Sequence, residues 1–155
     1  MAHVKICGIT RHEDAEQAAA LGAWAVGFNF WPGSKRRCDE AVAAGIARAL
    51  RRQVEPVGVF VNPTLDEVVR VAEGVGLTYV QLHGDEGPAF CAAVFQRTGA
   101  RVIKALRIGS GADIRDAERY TPTSTCSTRR PARPTGAPAA RGTGRWPRSG
   151  TRACR

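Results

Sequence analysis

Pro56-Val-Gly-Val-Phe-Val-Asn-Pro-Thr-Leu-Asp-Glu-Val-Val-Arg-Val-Ala-Glu73 holds one complete structural unit. Its first six residues are apolar and Val-rich, which predicts a buried strand over 56–61. Asn62-Pro63-Thr64 breaks that run with turn-forming residues. From Leu65 to Glu73 the apolar positions Val68, Val69 and Val71 give a helix with one apolar side.

The same unit recurs on both sides. Upstream, His3-Val-Lys-Ile-Cys7 predicts a strand, and Glu13 to Leu21 an Ala-rich helix ended by Gly22. Trp24 to Phe30 is the next strand, and Asp39 to Arg52 the next helix, with Asp39 as its N-cap. Downstream, Tyr79 to His83 is a fourth strand and Gly87 to Thr98 a fourth helix. Arg101 to Leu106 is a fifth strand, and Ala112 to Arg119 a short fifth helix.

Five strand–helix units in alternation predict parallel strands joined by right-handed crossovers. Two architectures satisfy this: an open doubly wound sheet, or part of an eight-stranded (β/α)8 barrel. Gly8-Ile-Thr10, after the first strand, is not the GxGxxG loop that would favour the open sheet. Polar or reactive residues instead recur at the C-terminal ends of strands: Cys7, Asn29, Asn62 and His83. A barrel active site has that layout.

After Tyr120 the composition changes. Residues 121–155 contain no Leu, Ile, Val, Met, Phe or Tyr and no acidic residue, yet carry eight arginines. The net charge of +9 on 155 residues therefore splits into +1 for residues 1–120 and +8 for the rest. The first part has the balance of a globular domain; the second has almost nothing to bury and is expected to be a disordered basic tail. No apolar stretch is long enough to cross a membrane, and Met1 to Cys7 lacks the pattern of a secretory signal. The five cysteines (Cys7, Cys38, Cys91, Cys126 and Cys154) are odd in number, scattered and without ligand spacing. They predict neither a disulfide framework nor a zinc site, and a cytoplasmic location.

Three positions carry candidate chemistry. Composition alone makes Cys7 a buried, inert cysteine; its place at a strand top makes it a thiolate base or nucleophile. Lys35-Arg36-Arg37 reads either as a solvated basic loop or, through a guanidinium, as a bidentate grip on a carboxylate. His83 either packs on an aromatic substrate or satisfies its own loop.

Together these residues resemble a family. Lys5-Ile-Cys-Gly-Ile-Thr10, Gly27-Phe-Asn-Phe-Trp-Pro-Gly-Ser-Lys-Arg36, Val57-Gly-Val-Phe-Val-Asn62 and Val80-Gln-Leu-His-Gly-Asp-Glu86 are similar to phosphoribosylanthranilate isomerase, in order and on successive strand tops. The resemblance covers residues 1–120. It implies a (β/α)8 barrel that performs an Amadori rearrangement of a small-molecule substrate, N-(5-phosphoribosyl)anthranilate, in tryptophan biosynthesis, without metal or organic cofactor. It implies further that Cys7 is the general base, that Arg36 holds the anthranilate carboxylate and that His83 lines the anthranilate side. The family's general acid is an Asp at the end of strand six, and its phosphate sits on loops after strands seven and eight.

Residues 121–155 are expected to supply neither strand six nor that Asp. A shifted reading frame is the expected explanation. Joining each third codon base to the next two bases lets Ser124-Thr-Cys-Ser-Thr128 encode Tyr-Leu-Leu-Asp. Pro134 to Pro147 likewise permits Tyr-Gly-Gly-Thr-Gly-Arg-Thr-Trp-Asp-Trp-Ala-Leu-Ala. Both strings are similar to the family's strand-six and following-loop motifs, which predicts a frameshift near codons 120–124, in the gene or its sequencing. Five units alone do not close a barrel, so an inactive, poorly soluble chain is expected, with strand five as an exposed edge. Three other readings compete: an α/β domain with a nucleic-acid-binding arm, another sugar-phosphate isomerase barrel, and a half-barrel oligomer. The first has only Trp146 to stack on a base, so no nucleic-acid or membrane partner is expected. Oligomeric state is open.

Overall fold

Each Val-rich run becomes a parallel strand and each amphipathic run the helix that returns to the next. A computed structural model describes residues 3–108, 119–120 and 124–129. The order is β1 (Lys5–Cys7), α1 (His12–Ala20), β2 (Ala25–Asn29), α2 (Glu40–Ala49), β3 (Glu55–Phe60), α3 (Leu65–Val75), β4 (Tyr79–Leu82), α4 (Pro88–Thr98), β5 (Arg101–Ile108) and β6 (Ser124–Arg129). The strands lie in sequence order in one parallel sheet, β1 to β6. Unreversed strand order is barrel connectivity, not the doubly wound pattern, so the described strands and helices belong to the (β/α)8 type.

Strand alternation sorts the side chains onto two faces. Val26, Phe28, Phe60, Val80 and Leu82 pack against the helices together with Ala15, Ile46, Val68, Val71 and Val94. The opposite, concave face carries a smaller cluster of Ala25, Val57 and Ile103, flanked by Trp24 and Tyr79. The rings of Trp24 and Tyr79 meet edge to face with centroids 5.2 Å apart, a favoured aromatic geometry. That packed layer floors the concave side; the C-terminal ends of the strands stand above it.

Local signals set the helix ends. Asp39 caps α2 as expected, its carboxylate accepting from the N–H groups of Ala41 and Val42. Thr64, which leads out of the β3 turn, does the same for α3 by accepting from Glu67. The expected extension of α2 to Arg52 is corrected. The helix ends at Ala49, and the chain reverses through Arg52 at φ 73°, a left-handed conformation that a helix cannot contain.

The expected absence of a sixth strand is also corrected. Ser124–Arg129 pairs in parallel with β5, from Ile103↔Ser124 to Ile108↔Arg129. The open edge of β5 offers a ladder of backbone donors and acceptors, and a Ser/Thr/Cys run fits an extended backbone without any apolar residue. Among the described residues the sheet edge is therefore β6, not β5. Residues 112–118 of the expected fifth helix and the rest of the basic tail lie outside the described residues.

Candidate active site

β1 ends in Cys7, and the chain turns at once through Gly8. At φ 86° Gly8 adopts a conformation that disfavours a side chain. The turn is fixed by N–H groups of Gly8 and Ile9, both donating to the carbonyl of Gly27 on β2, at 2.8 and 3.0 Å. Cys7 is exposed. The expectation that this cysteine is buried is thereby corrected.

Arg36 comes from the loop after β2. Its own N–H donates to Ser34 Oγ at 3.1 Å, and Asn29 Oδ1 steadies the start of the loop by accepting from Trp31 N–H at 3.0 Å. The guanidinium lies across Gly8: a Cβ there would sit 2.7 Å from Arg36 Cζ. Nη1 donates to the Cys7 carbonyl oxygen at 2.9 Å. The thiol-bearing strand and the guanidinium are thus joined directly, with Gly8 as the space between them. The Arg36 side chain is otherwise exposed, and a guanidinium can donate two parallel bonds to a carboxylate.

His83 follows β4 and is half-buried, its backbone N–H donating to the Phe60 carbonyl at 2.9 Å. Burial pushes its pKa down from the ordinary value, and the positive charges of Arg107, Lys104 and Lys5 push further, with Glu86 opposing. Cations from β1 and β5 therefore converge on this imidazole, which favours its neutral form. Arg107 was not foreseen from the sequence; the signal available was its place two residues beyond an inward-facing Ala105 on β5.

Asn62, by contrast, builds the loop. At φ 49° it holds a left-handed turn that Asn tolerates better than most residues, and its Oδ1 accepts from Asp85 N–H at 2.7 Å. Sequence reasoning also missed the pair beneath. Glu86 and Lys104 meet at 2.7 Å with both side chains 3% exposed. Glu86 accepts from the N–H groups of Asn62 at 2.7 Å and Gly84 at 2.9 Å, and Lys104 Nζ also donates to the Gly84 carbonyl. The available signal was a lysine inside the apolar run Val102-Ile-Lys-Ala-Leu106. This network clamps the tops of β3, β4 and β5, and so fixes the loop that carries His83.

A cleft of about 600 Å³ opens at the other end of the sheet, beside Arg48, Glu55 and Glu73. It contains none of the predicted residues. Among the described residues no cluster of His, Cys, Asp or Glu is arranged to hold a metal, and no helix is long and apolar enough to cross a membrane.

Comparison with known proteins is consistent in one direction. The model of the N-(5'-phosphoribosyl)anthranilate isomerase family matches residues 4–126. The N-(5'-phosphoribosyl)anthranilate isomerase of Rubrobacter xylanophilus is 52% identical over 120 residues, covering 77% of this chain and 58% of that protein. The crystal structure of the Thermotoga maritima phosphoribosylanthranilate isomerase superposes with a TM-score of 0.80 at 38% identity, over 89% of this chain and 66% of that one. A further isomerase structure, solved with reduced 1-(o-carboxyphenylamino)-1-deoxyribulose 5-phosphate, matches with a TM-score of 0.78 at 40% identity, over 83% and 66% of the two chains. The chain spans about half the length of the curated relatives it matches.

Proposed function

We propose a reaction from one premise: this chain belongs to the N-(5'-phosphoribosyl)anthranilate isomerase family. The reaction is the Amadori rearrangement of N-(5'-phosphoribosyl)anthranilate to 1-(2-carboxyphenylamino)-1-deoxyribulose 5-phosphate, a cytoplasmic step of tryptophan biosynthesis. A general acid protonates the ribose ring oxygen as the C1–O bond breaks, leaving a Schiff base. The Cys7 thiolate takes the C2 proton, and the electron pair moves toward the iminium nitrogen to give an enolamine. Tautomerisation of the enol places the ketone at C2 and a proton on C1.

The observation that carries this reading is the junction of Cys7 and Arg36. An exposed sulfur ends β1, and the guanidinium is anchored on that residue's own carbonyl at 2.9 Å. Arg36 grips the anthranilate carboxylate beside the base, and neutral His83 lines the anthranilate ring. Proximity of this kind converts a bimolecular proton transfer into a positioned one.

The acid is the missing part. β6 occupies the sixth strand position, yet Ser124-Thr-Cys-Ser-Thr-Arg129 carries hydroxyl, thiol and guanidinium groups and no carboxylate. Residues 121–155 contain no acidic residue at all. We attribute this to a change of reading frame near codons 120–124, and we propose that the chain as it stands is inactive. Losing one positioned acid costs about 10²–10⁴ in rate. The coding DNA and one assay test both statements. The alternative frame across codons 121–147 is expected to encode the Leu-Leu-Asp and Gly-Gly-Thr-Gly strings, and the frame-restored protein to turn over substrate while the 155-residue chain does not. Normal turnover by the 155-residue chain would overturn the proposal.

A further inference from the structure

We propose that Lys5 controls the charge on Cys7: its ammonium borders the same notch over Gly27 as the sulfur and favours the thiolate. The proposal deepens the reading of Cys7 as the base and rests on it.

The geometry comes from β1 and β2. Lys5 and Cys7 are two residues apart on one strand and share a face, while Ile6 between them packs toward the helices. Across the ladder they face Ala25 and Gly27, two residues without bulk. A Cβ on Gly27 would lie 3.0 Å from Cys7 Sγ and 3.0 Å from Lys5 Nζ. Both atoms therefore border one notch and stand no more than about 6 Å apart. Any side chain at Gly27 would fill the notch, so glycine is what lets the long lysine rise along the strand to the level of the sulfur.

The surroundings leave Lys5 as the cation for this task. Arg36 directs Nη1 to the Cys7 carbonyl and keeps its charge, but in the proposed reaction that charge is paired with the substrate carboxylate. Lys104 is held by Glu86 at 2.7 Å, which also occupies the carboxylate of the β4–α4 loop. Gly27 pairs with Cys7 at the end of β1, so the notch that Lys5 Nζ borders lies at the top of the concave face. His83 itself is favoured neutral. A neighbouring cation is a known way to make a cysteine thiolate reactive. At this separation it changes the thiolate population by about threefold in bulk water, and by more where water is partly excluded. Lys5 acts through Cys7 and is a positioning residue, not a catalytic one.

The test uses the 155-residue chain and does not depend on turnover. Alkylation by iodoacetamide, an uncharged reagent, is followed between pH 5 and 9, with the Cys7 peptide quantified by mass spectrometry. Cys38, which is buried, and Cys91, which is half-buried, report in the same sample whether the fold is intact. Lys5→Met is expected to slow Cys7 alkylation near neutral pH by about threefold or more and to displace its profile toward higher pH. Lys5→Arg is expected to retain the original profile. An unchanged Cys7 profile in Lys5→Met, with Cys38 and Cys91 still protected, would overturn the proposal. If Lys5→Met exposes Cys38, salt decides in the unsubstituted chain: high ionic strength is expected to slow Cys7 alkylation, and no salt effect overturns the proposal. Failure here leaves Cys7 as the base; failure of Cys7 as the base appears only in turnover.

Discussion

Removing the Glu86 carboxylate should cost this chain a large part of its stability. Glu86→Ala takes away the acceptor for the Asn62 and Gly84 N–H groups and leaves Lys104, 3% exposed, to the Gly84 carbonyl. Breaking one side of a buried pair costs about 3–5 kcal/mol, because the other charge stays buried. A complete native domain has roughly 5–15 kcal/mol in total, so such a loss is a large fraction of what an unclosed barrel holds. With an m value near 2 kcal/mol/M in urea, the midpoint should fall by about 1.5–2.5 M. Tryptophan fluorescence during urea unfolding measures it. The double variant Glu86→Gln/Lys104→Met keeps an acceptor for the two N–H groups and buries no charge, so it should lie well above Glu86→Ala. A loss below about 1 kcal/mol for Glu86→Ala, or a double variant as unstable as the single, would refute the clamp.

Two further outcomes are expected from the same structure. Asp39→Ala removes the acceptor for two N–H groups at the start of α2 and should cost about 1 kcal/mol in the same unfolding assay, with no effect on Cys7 alkylation. His83 should titrate by NMR below its ordinary value of 6.5. Because the folded state resists protonating it, the stability at stake is intact above the ordinary value and is lost as the pH falls below it. A His83 titration at or above 6.5 would contradict the described burial and the cations around it.

The strands were legible because β-branched runs bounded by turn residues allow little else, and α2's start was legible because Asp39 stands directly before an apolar repeat. Cys7, Arg36 and His83 were legible as strand-top or loop residues carrying reactive groups. The Glu86–Lys104 pair was not, since its partners lie on different elements and only the folded sheet brings them to 2.7 Å. β6 escaped notice for another reason. Its Ser/Thr/Cys composition gives no apolar periodicity, and its pairing is a property of the β5 edge as much as of its own residues. Lys5 lies between these cases: its shared face with Cys7 follows from strand alternation, but the notch over Gly27 requires the ladder register.

The proposed reaction assigns the base to Cys7 and needs an acid that residues 121–155, which contain no Asp or Glu, do not supply. Turnover of N-(5'-phosphoribosyl)anthranilate by the frame-restored protein, with and without Cys7→Ser, tests it most directly. The restored protein should be active, and Cys7→Ser should lower kcat by about 10²–10⁴ or more while leaving the circular dichroism spectrum unchanged. A Cys7→Ser protein that keeps near-normal kcat, or a frame-restored protein that is folded and inert toward this substrate, would contradict the account.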